Sequence, residues 1–234
     1  MVANPSTEAR DEAPGRVICI LGMHRSGTSC LTGSLQEAGL QLGDCHTWNP
    51  FNLKGNRENQ AFVDLNDAVL EANGGSWDNP PASANWSEQH LAMGRELMAA
   101  HAHMPVMGFK DPRTLLVLEG WKAVAPEMEF VGIFRHPNAV AASLERRSKM
   151  SRKDALVLWY AYNKRLLLQY RESAFPVLCF DYPEQEFQQH LGGVIDTLGL
   201  ARPQADQLFY DGGLKNFDRQ SGARLPLRVW HLYR

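Results

Sequence analysis

The stretch Val17 to Leu31, VICILGMHRSGTSCL, holds the residues whose types and spacing could do chemistry. A β-branched run from Val17 to Leu21 meets Gly22 and a short polar loop, and Thr28 and Ser29 then open an apolar helical pattern. Strand, glycine loop and helix start together make an anion cradle, because successive backbone N–H groups and the positive helix end converge on a phosphate or sulfate. The spacing Gly22-x-x-x-x-Gly27 matches the first part of a Walker A loop. Thr28 and Ser29 follow where a nucleoside triphosphatase carries Lys and then Ser or Thr, and the basic residue stands inside the loop, at Arg25. A tight strand-to-helix turn would account for the glycines. It would not account for a cation and a hydroxyl pair in the same βα unit.

Other elements must position this loop. Apolar runs of strand length recur at Val17–Leu21, Val106–Phe109, Phe130–Phe134 and Val177–Phe180, with a short candidate at Leu40–Leu42. Helical patterns lie between them, at about Thr28–Glu37, Glu58–Ala72, Ser87–His101, Asn138–Arg147, Ser151–Tyr170 and Glu184–Leu198. The alternation predicts an α/β protein, a three-layer α/β/α arrangement around a central parallel sheet. The tail after Pro203 is basic and fits no element. In such a sheet, ligands bind beyond the C-terminal ends of the strands. The first end carries Met23 to Ser29, the second Lys110-Asp111-Pro112-Arg113, the third Arg135-His136-Pro137 with Ser143 eight residues beyond Arg135, and the fourth Asp181-Tyr182. Three cations, Arg25, Lys110 and Arg135, therefore point at one crevice.

The composition bounds the rest. The formal net charge is −2, so anion affinity must come from local clusters, and no basic stripe interleaved with aromatics suggests a nucleic-acid surface. The four cysteines show no C-x-x-C spacing and read as free thiols in a reducing compartment. No apolar run reaches the length of a membrane span, and the first residues lack a signal peptide's pattern. The expectation is a cytoplasmic protein with a disordered tail over 1–15 and one domain over 16–234. His101 and His103 lack partners at metal spacing, so no metal site is read.

With these residues in place, the chain resembles the sulfotransferases that use 3′-phosphoadenosine 5′-phosphosulfate (PAPS), particularly the bacterial group with a P-loop-NTPase-like fold. HRSGTS at His24 to Ser29 resembles that family's 5′-phosphosulfate loop, with Arg25 at the place of its Lys or Arg. FVGIFRHPNAVAASLERR, Phe130 to Arg147, resembles the 3′-phosphate motif, with Arg135 and Ser143 at the required spacing. GFKDPRT, Gly108 to Thr114, is similar to a short strand-end motif that would set Lys110 near the transferred sulfuryl group. NPFNLKGNRENQAFVDLNDAVL, Asn49 to Leu70, resembles the acceptor-side stretch. The histidine base that cytosolic members carry two residues after the lysine is Pro112 here.

The resemblance implies sulfuryl transfer from PAPS to an acceptor hydroxyl or amine, with a sugar or glycan among the acceptors it suggests, leaving PAP and needing no metal. Arg25 and Lys110 would meet the bridging oxygen, and His24, Ser26, Gly27, Thr28 and Ser29 would frame the 5′-phosphate. Arg135 and Ser143 would hold the 3′-phosphate. Glu58, or failing it Asp111, would take the acceptor's proton. Other readings stay open for single residues. Lys110 could simply pair with an acid, Glu58 could serve its helix dipole, and His24 and His136 could orient their neighbours. Trp77 and Trp86 could wall a sugar site or pack a core. The loops 44–59 and 73–87 are the expected acceptor pocket. A kinase using ATP and magnesium would require Lys at position 28. A non-catalytic anion-binding module would fit loss of Lys110 or of a crevice carboxylate, and neither is lost.

Overall fold

In a computed structural model the chain is described over residues 15–47, 54–204, 209 and 223–234. The expected N-terminal tail lies outside these residues except for its last one, and so does the middle of the first acceptor loop. Four strands form one all-parallel sheet in the order β2-β1-β3-β4: β1 Val17–Leu21, β2 Met107–Lys110, β3 Glu129–Phe134 and β4 Val177–Cys179. The register pairs Ile20 with Lys110 and Leu21 with Gly132, so β1 runs up the centre with its end flanked by the ends of β2 and β3. Every residue of β1 is buried, as expected of a central parallel strand covered on both faces.

Helices supply those two covers. α1 (Thr28–Glu37) and α7 (Glu184–Thr197) pack Leu31, Leu35, Phe187 and Leu191 against Ile18, Ile20, Val131 and Ile133. The opposite face, Cys19, Leu21 and Phe109, meets the helices α2 (Gln60–Ala72), α3 (Glu88–Ala100), α4 (Thr114–Val124), α5 (Pro137–Ser148) and α6 (Arg152–Glu172). Phe62, Phe109 and Trp121 form a mutual cluster of rings at the heart of that layer, with Phe62 4.7 Å from Phe109 and both phenyl rings 5.1 Å from Trp121. The expected three-layer α/β/α arrangement is present. No helix among the described residues is long and apolar enough to cross a membrane.

Three differences from the sequence reading have physical causes. Leu40–Leu42 is not a strand: only Gln41 makes a bridge, to Met107, beside the edge of β2. Residues 114–124 form α4, which the hydrophobic pattern does not announce because the run from Thr114 to Leu118 is buried without a break. The tail ends in a short helix, α8 (Leu227–Tyr233), which packs on α6 and brings Tyr233 to 4.8 Å from His136. Other ends follow their caps. Ser87 accepts from His90 N in a capping box, and Ser151 accepts from Asp154 N, as expected of those residues at a helix start.

Candidate active site

The loop after β1 is shaped by close approaches. A Cβ on Gly22 would lie 2.6 Å from the Ile133 carbonyl oxygen, so only glycine lets the loop leave the sheet there. Gly27 takes φ +91°, and a Cβ on it would strike the Phe180 ring at 2.3 Å. Arg25 also adopts a left-handed conformation, φ 67°, uncommon for a residue with a side chain. Among the described residues no side chain caps the first turn of α1, whose leading N–H groups follow directly on the loop after β1. Two buried polar atoms of this loop, His24 Nε2 and Ser26 Oγ, have no hydrogen-bond partner among the described residues. Orphaned polar atoms beside an uncapped helix start fit a polyanionic ligand. Ser29 is turned otherwise: its hydroxyl donates to the Asn56 carbonyl at 3.0 Å.

The structure brings the loop and the end of β3 together. Arg25 Nε donates to Ser143 Oγ at 2.8 Å, and Arg135 Nη1 reaches the Arg25 carbonyl at 3.4 Å. Burial, together with Arg147, Arg135 and Arg146, pushes the Arg25 guanidinium down to about 10. A guanidinium so placed among like charges gains from an incoming anion. Arg135 is buried, lies 5.3 Å from the Phe180 ring centre, and has Asp181 Oδ1 at 3.5 Å from Nε. Asp181 Oδ2 also accepts from the His136 amide, and Trp159 Nε1 donates to the Arg135 carbonyl at 2.9 Å. Of these supports only Asp181 had a signal in the sequence, its place at a strand end.

Lys110 and Asp111, at the end of β2, have different partners. Lys110 Nζ donates to Glu58 Oε1 at 2.7 Å, with the lysine side chain 1% exposed and the glutamate 14%. Glu58 lies just before the Asn59 cap of α2, not inside the helix as the spacing suggested. Its reach to Lys110 therefore comes from the loop, where Arg57 takes φ 58° and His46 hydrogen-bonds to both residues. Asp111 is enclosed: it accepts from Asn66 at 2.9 Å and from Arg113 at 2.9 Å. Burial pushes its carboxyl up to about 6 against the pull of Arg113. Asn66 in turn accepts from Trp121, tying α2, α4 and the end of β2 into one buried network.

His24 lies at the junction of both groups. Its ring centre is 4.8 Å from Trp77 and 5.8 Å from Tyr162. Burial, with Arg113, Lys110, Arg147 and Arg25 around it, holds the imidazole well below its usual range and so uncharged. The two tryptophans have separate fates. Trp77 stays partly exposed on a loop whose ends are pinned by Asn73 and Asn85, and Tyr162 donates to its carbonyl at 2.8 Å. Trp86 fills a slot over Gly120 and donates to the Val117 carbonyl at 3.0 Å, so it packs a core and walls no sugar site. Among the described residues no cluster of three His, Cys, Asp or Glu side chains could hold a metal.

No protein-family model and no curated protein matches the chain. Solved structures do. The sulfotransferase domain of the Synechococcus PCC 7002 olefin synthase superposes with TM-score 0.60 at 18% identity, covering 94% of each chain. The sulfotransferase domain from the curacin biosynthetic pathway superposes with TM-score 0.58 at 14% identity, covering 94% of this chain and 96% of that one. The chain thus has the α/β fold of these sulfotransferase domains over 94% of its length. At such identities the likeness speaks for the fold, and the chemistry must be argued from the side chains.

Proposed function

We propose that this protein transfers a sulfuryl group from PAPS to a hydroxyl or amine of an acceptor. The observation that carries the reading is the contact between Arg25 and Ser143. It sets the glycine loop, suited to a 5′-phosphosulfate, directly beside the α5 and Arg135 site, suited to a second and separate phosphate. A nucleotide with phosphates on both its 5′ and 3′ positions matches two adjoining cation sites. ATP, with its phosphates in one chain, does not need the second. The fold shared with two sulfotransferase domains supports the same conclusion.

In this reading the amides of Gly27, Thr28 and Ser29, with Ser26 Oγ and His24 Nε2, surround the 5′-phosphate. Arg135 and Ser143 take the 3′-phosphate. Arg25 then exchanges Ser143 for the donor and, with Lys110, faces the oxygen between phosphorus and sulfur. Negative charge grows on that oxygen as its bond to sulfur breaks and the acceptor's bond to sulfur forms, so fixed cations there lower the barrier. Glu58 accepts the acceptor's proton, and PAP leaves. Asp111 is the weaker candidate base, since both its carboxylate oxygens are engaged by Asn66 and Arg113. The positioning and electrostatic work parallels phosphoryl transfer, with the cations here supplied by side chains.

Calorimetric titration with PAP, ADP and ATP plus magnesium tests the reading, with PAP repeated on Arg135→Ala. The expected result is PAP bound far more tightly than ADP, and weakened by about ten- to a hundredfold in the variant, the worth of one charged hydrogen-bonded contact. Magnesium-dependent ATP binding indifferent to a 3′-phosphate would overturn it in favour of a kinase. No binding of any nucleotide would leave a non-catalytic module.

A further inference from the structure

The turn from β3 into α5 carries both residues assigned to the second phosphate. Arg135 is the first residue after β3, and Ser143 stands inside α5. His136 is the joint between them. Its Nδ1 accepts from the Asn138 amide at 3.2 Å and so caps α5. Its own amide donates to Asp181, whose other carboxylate oxygen stands 3.5 Å from Arg135 Nε. Any slack at this joint would move Arg135 and Ser143 relative to one another.

Tyr233, from α8, is wedged against that joint. Its ring centre is 4.8 Å from His136, 6.2 Å from Phe134 and 6.2 Å from Trp159, edge to face in each case. Phe134 and His136 are the two chain neighbours of Arg135, and Trp159 is the residue whose indole donates to the Arg135 carbonyl at 2.9 Å. All three rings therefore flank or hold the Arg135 backbone, and rings that meet edge to face keep a defined geometry. The segment bearing Tyr233 is tied down at the same place. Asn138, the second residue of α5, donates through Nδ2 to the Ala223 carbonyl at 2.9 Å. Arg152 Nη2 donates to Asn138 Oδ1 at 2.8 Å and to the Arg224 carbonyl at 3.1 Å. Burial of Val229 accounts for α8 packing on α6. It does not account for these ties to the start of the helix that bears Ser143. We infer that Tyr233 is a positioning residue for the 3′-phosphate: through Phe134, His136 and Trp159 it holds the turn in which Arg135 and Ser143 face one phosphate. The inference rests on the sulfuryl-transfer reading and makes α8 a working part of donor selection, not only a cover for α6.

The test is calorimetric titration with PAP of wild type, Tyr233→Ala, Tyr233→Phe, Arg135→Ala and the double variant Tyr233→Ala with Arg135→Ala. Thermal unfolding checks that each is folded at the titration temperature, and Tyr233→Leu, which keeps apolar volume without a ring, takes the place of Tyr233→Ala if that variant is not. Tyr233→Ala should weaken PAP about tenfold, a share of what the Arg135 contact itself supplies. Tyr233→Phe keeps the ring and should stay within about twofold of wild type. In the Arg135→Ala background the same Tyr233 change should cost less than about threefold, because the contact it serves is already gone. A merely structural role would instead add its full loss in both backgrounds. Additive losses overturn the inference, and so do unchanged PAP affinity in Tyr233→Ala or a Tyr233→Phe variant as weak as Tyr233→Ala. In each of these cases PAP still binds wild type and the donor reading stands. Failure of PAP to bind wild type removes that reading and this inference with it.

Discussion

Glu58→Ala should destabilise the fold more than Lys110→Met, although both break the same ion pair. The two atoms are 2.7 Å apart, which at an effective dielectric constant of about 20 amounts to about 6 kcal/mol of gross attraction. Desolvation of both groups offsets most of that, so the net value of the pair is small, and what matters is which charge is left stranded. Lys110→Met replaces the lysine with an apolar side chain of similar length and leaves Glu58, 14% exposed on a loop, to turn toward water. That should cost about 1–2 kcal/mol. Glu58→Ala strands an ammonium whose side chain is 1% exposed at a strand end, and should cost about 3–5 kcal/mol. The double variant should resemble Lys110→Met, giving a coupling as large as the Glu58→Ala cost itself, about 3–5 kcal/mol. Urea unfolding of the four proteins at neutral pH, at equal m-values, reads this directly. Additive costs would mean the pair does not form in solution, and a larger cost for Lys110→Met would reverse the argument from access.

Other consequences can be checked on the same footing. The Asp111 carboxyl, pushed up to about 6 by burial, binds its proton more tightly folded than unfolded. Its contribution is therefore full below about pH 4 and lost as pH rises to about 6, by up to about 3 kcal/mol. The stability of wild type minus that of Asp111→Asn should fall across that window, and a flat difference would refute the burial argument. Gly22→Ala should cost about 3 kcal/mol or more, since the new methyl meets backbone, the Ile133 carbonyl, and not a movable side chain. A cost below about 1 kcal/mol by thermal unfolding would show that the loop yields. Trp86→Ala should lose about 3–5 kcal/mol by emptying the slot over Gly120, and Trp77→Ala clearly less. Equal losses would place both in the core.

The sheet was legible because its strands are short, β-branched and buried between breakers, and because parallel topology puts every strand end on one edge. That rule set Arg25, Lys110 and Arg135 at the ends of three neighbouring strands from sequence alone. Helix α4 was not legible for the converse reason: Leu115 to Leu118 and Trp121 are all buried, and a helix apolar on most sides has no period to read. Trp77 and Trp86 are the same residue nine positions apart, and only the slot over Gly120, on another helix, decides which one packs.

Pairings across long sequence distances were the other hidden layer. Fifty-two residues separate Glu58 from Lys110, and forty-five separate His136 from the Asp181 that also reaches Arg135. A sequence with 26 acidic residues does not say which of them arrive at a given cation. Yet that distribution decides what the crevice is for. Lys110, Arg113 and Arg135 each meet a carboxylate, whereas the Arg25 side chain donates to a hydroxyl, that of Ser143, and is pushed down by its cationic neighbours. Neutral hydroxyls do not offset a guanidinium's charge, so the loop gains most from a ligand that brings its own negative charge to Arg25. Compensated cations can hold their geometry without a ligand, and the proposed function places the donor's anion at the one left with a hydroxyl. Strand ends locate the crevice, and the unequal sharing of carboxylates within it is the physical ground for the proposed anion site at the glycine loop.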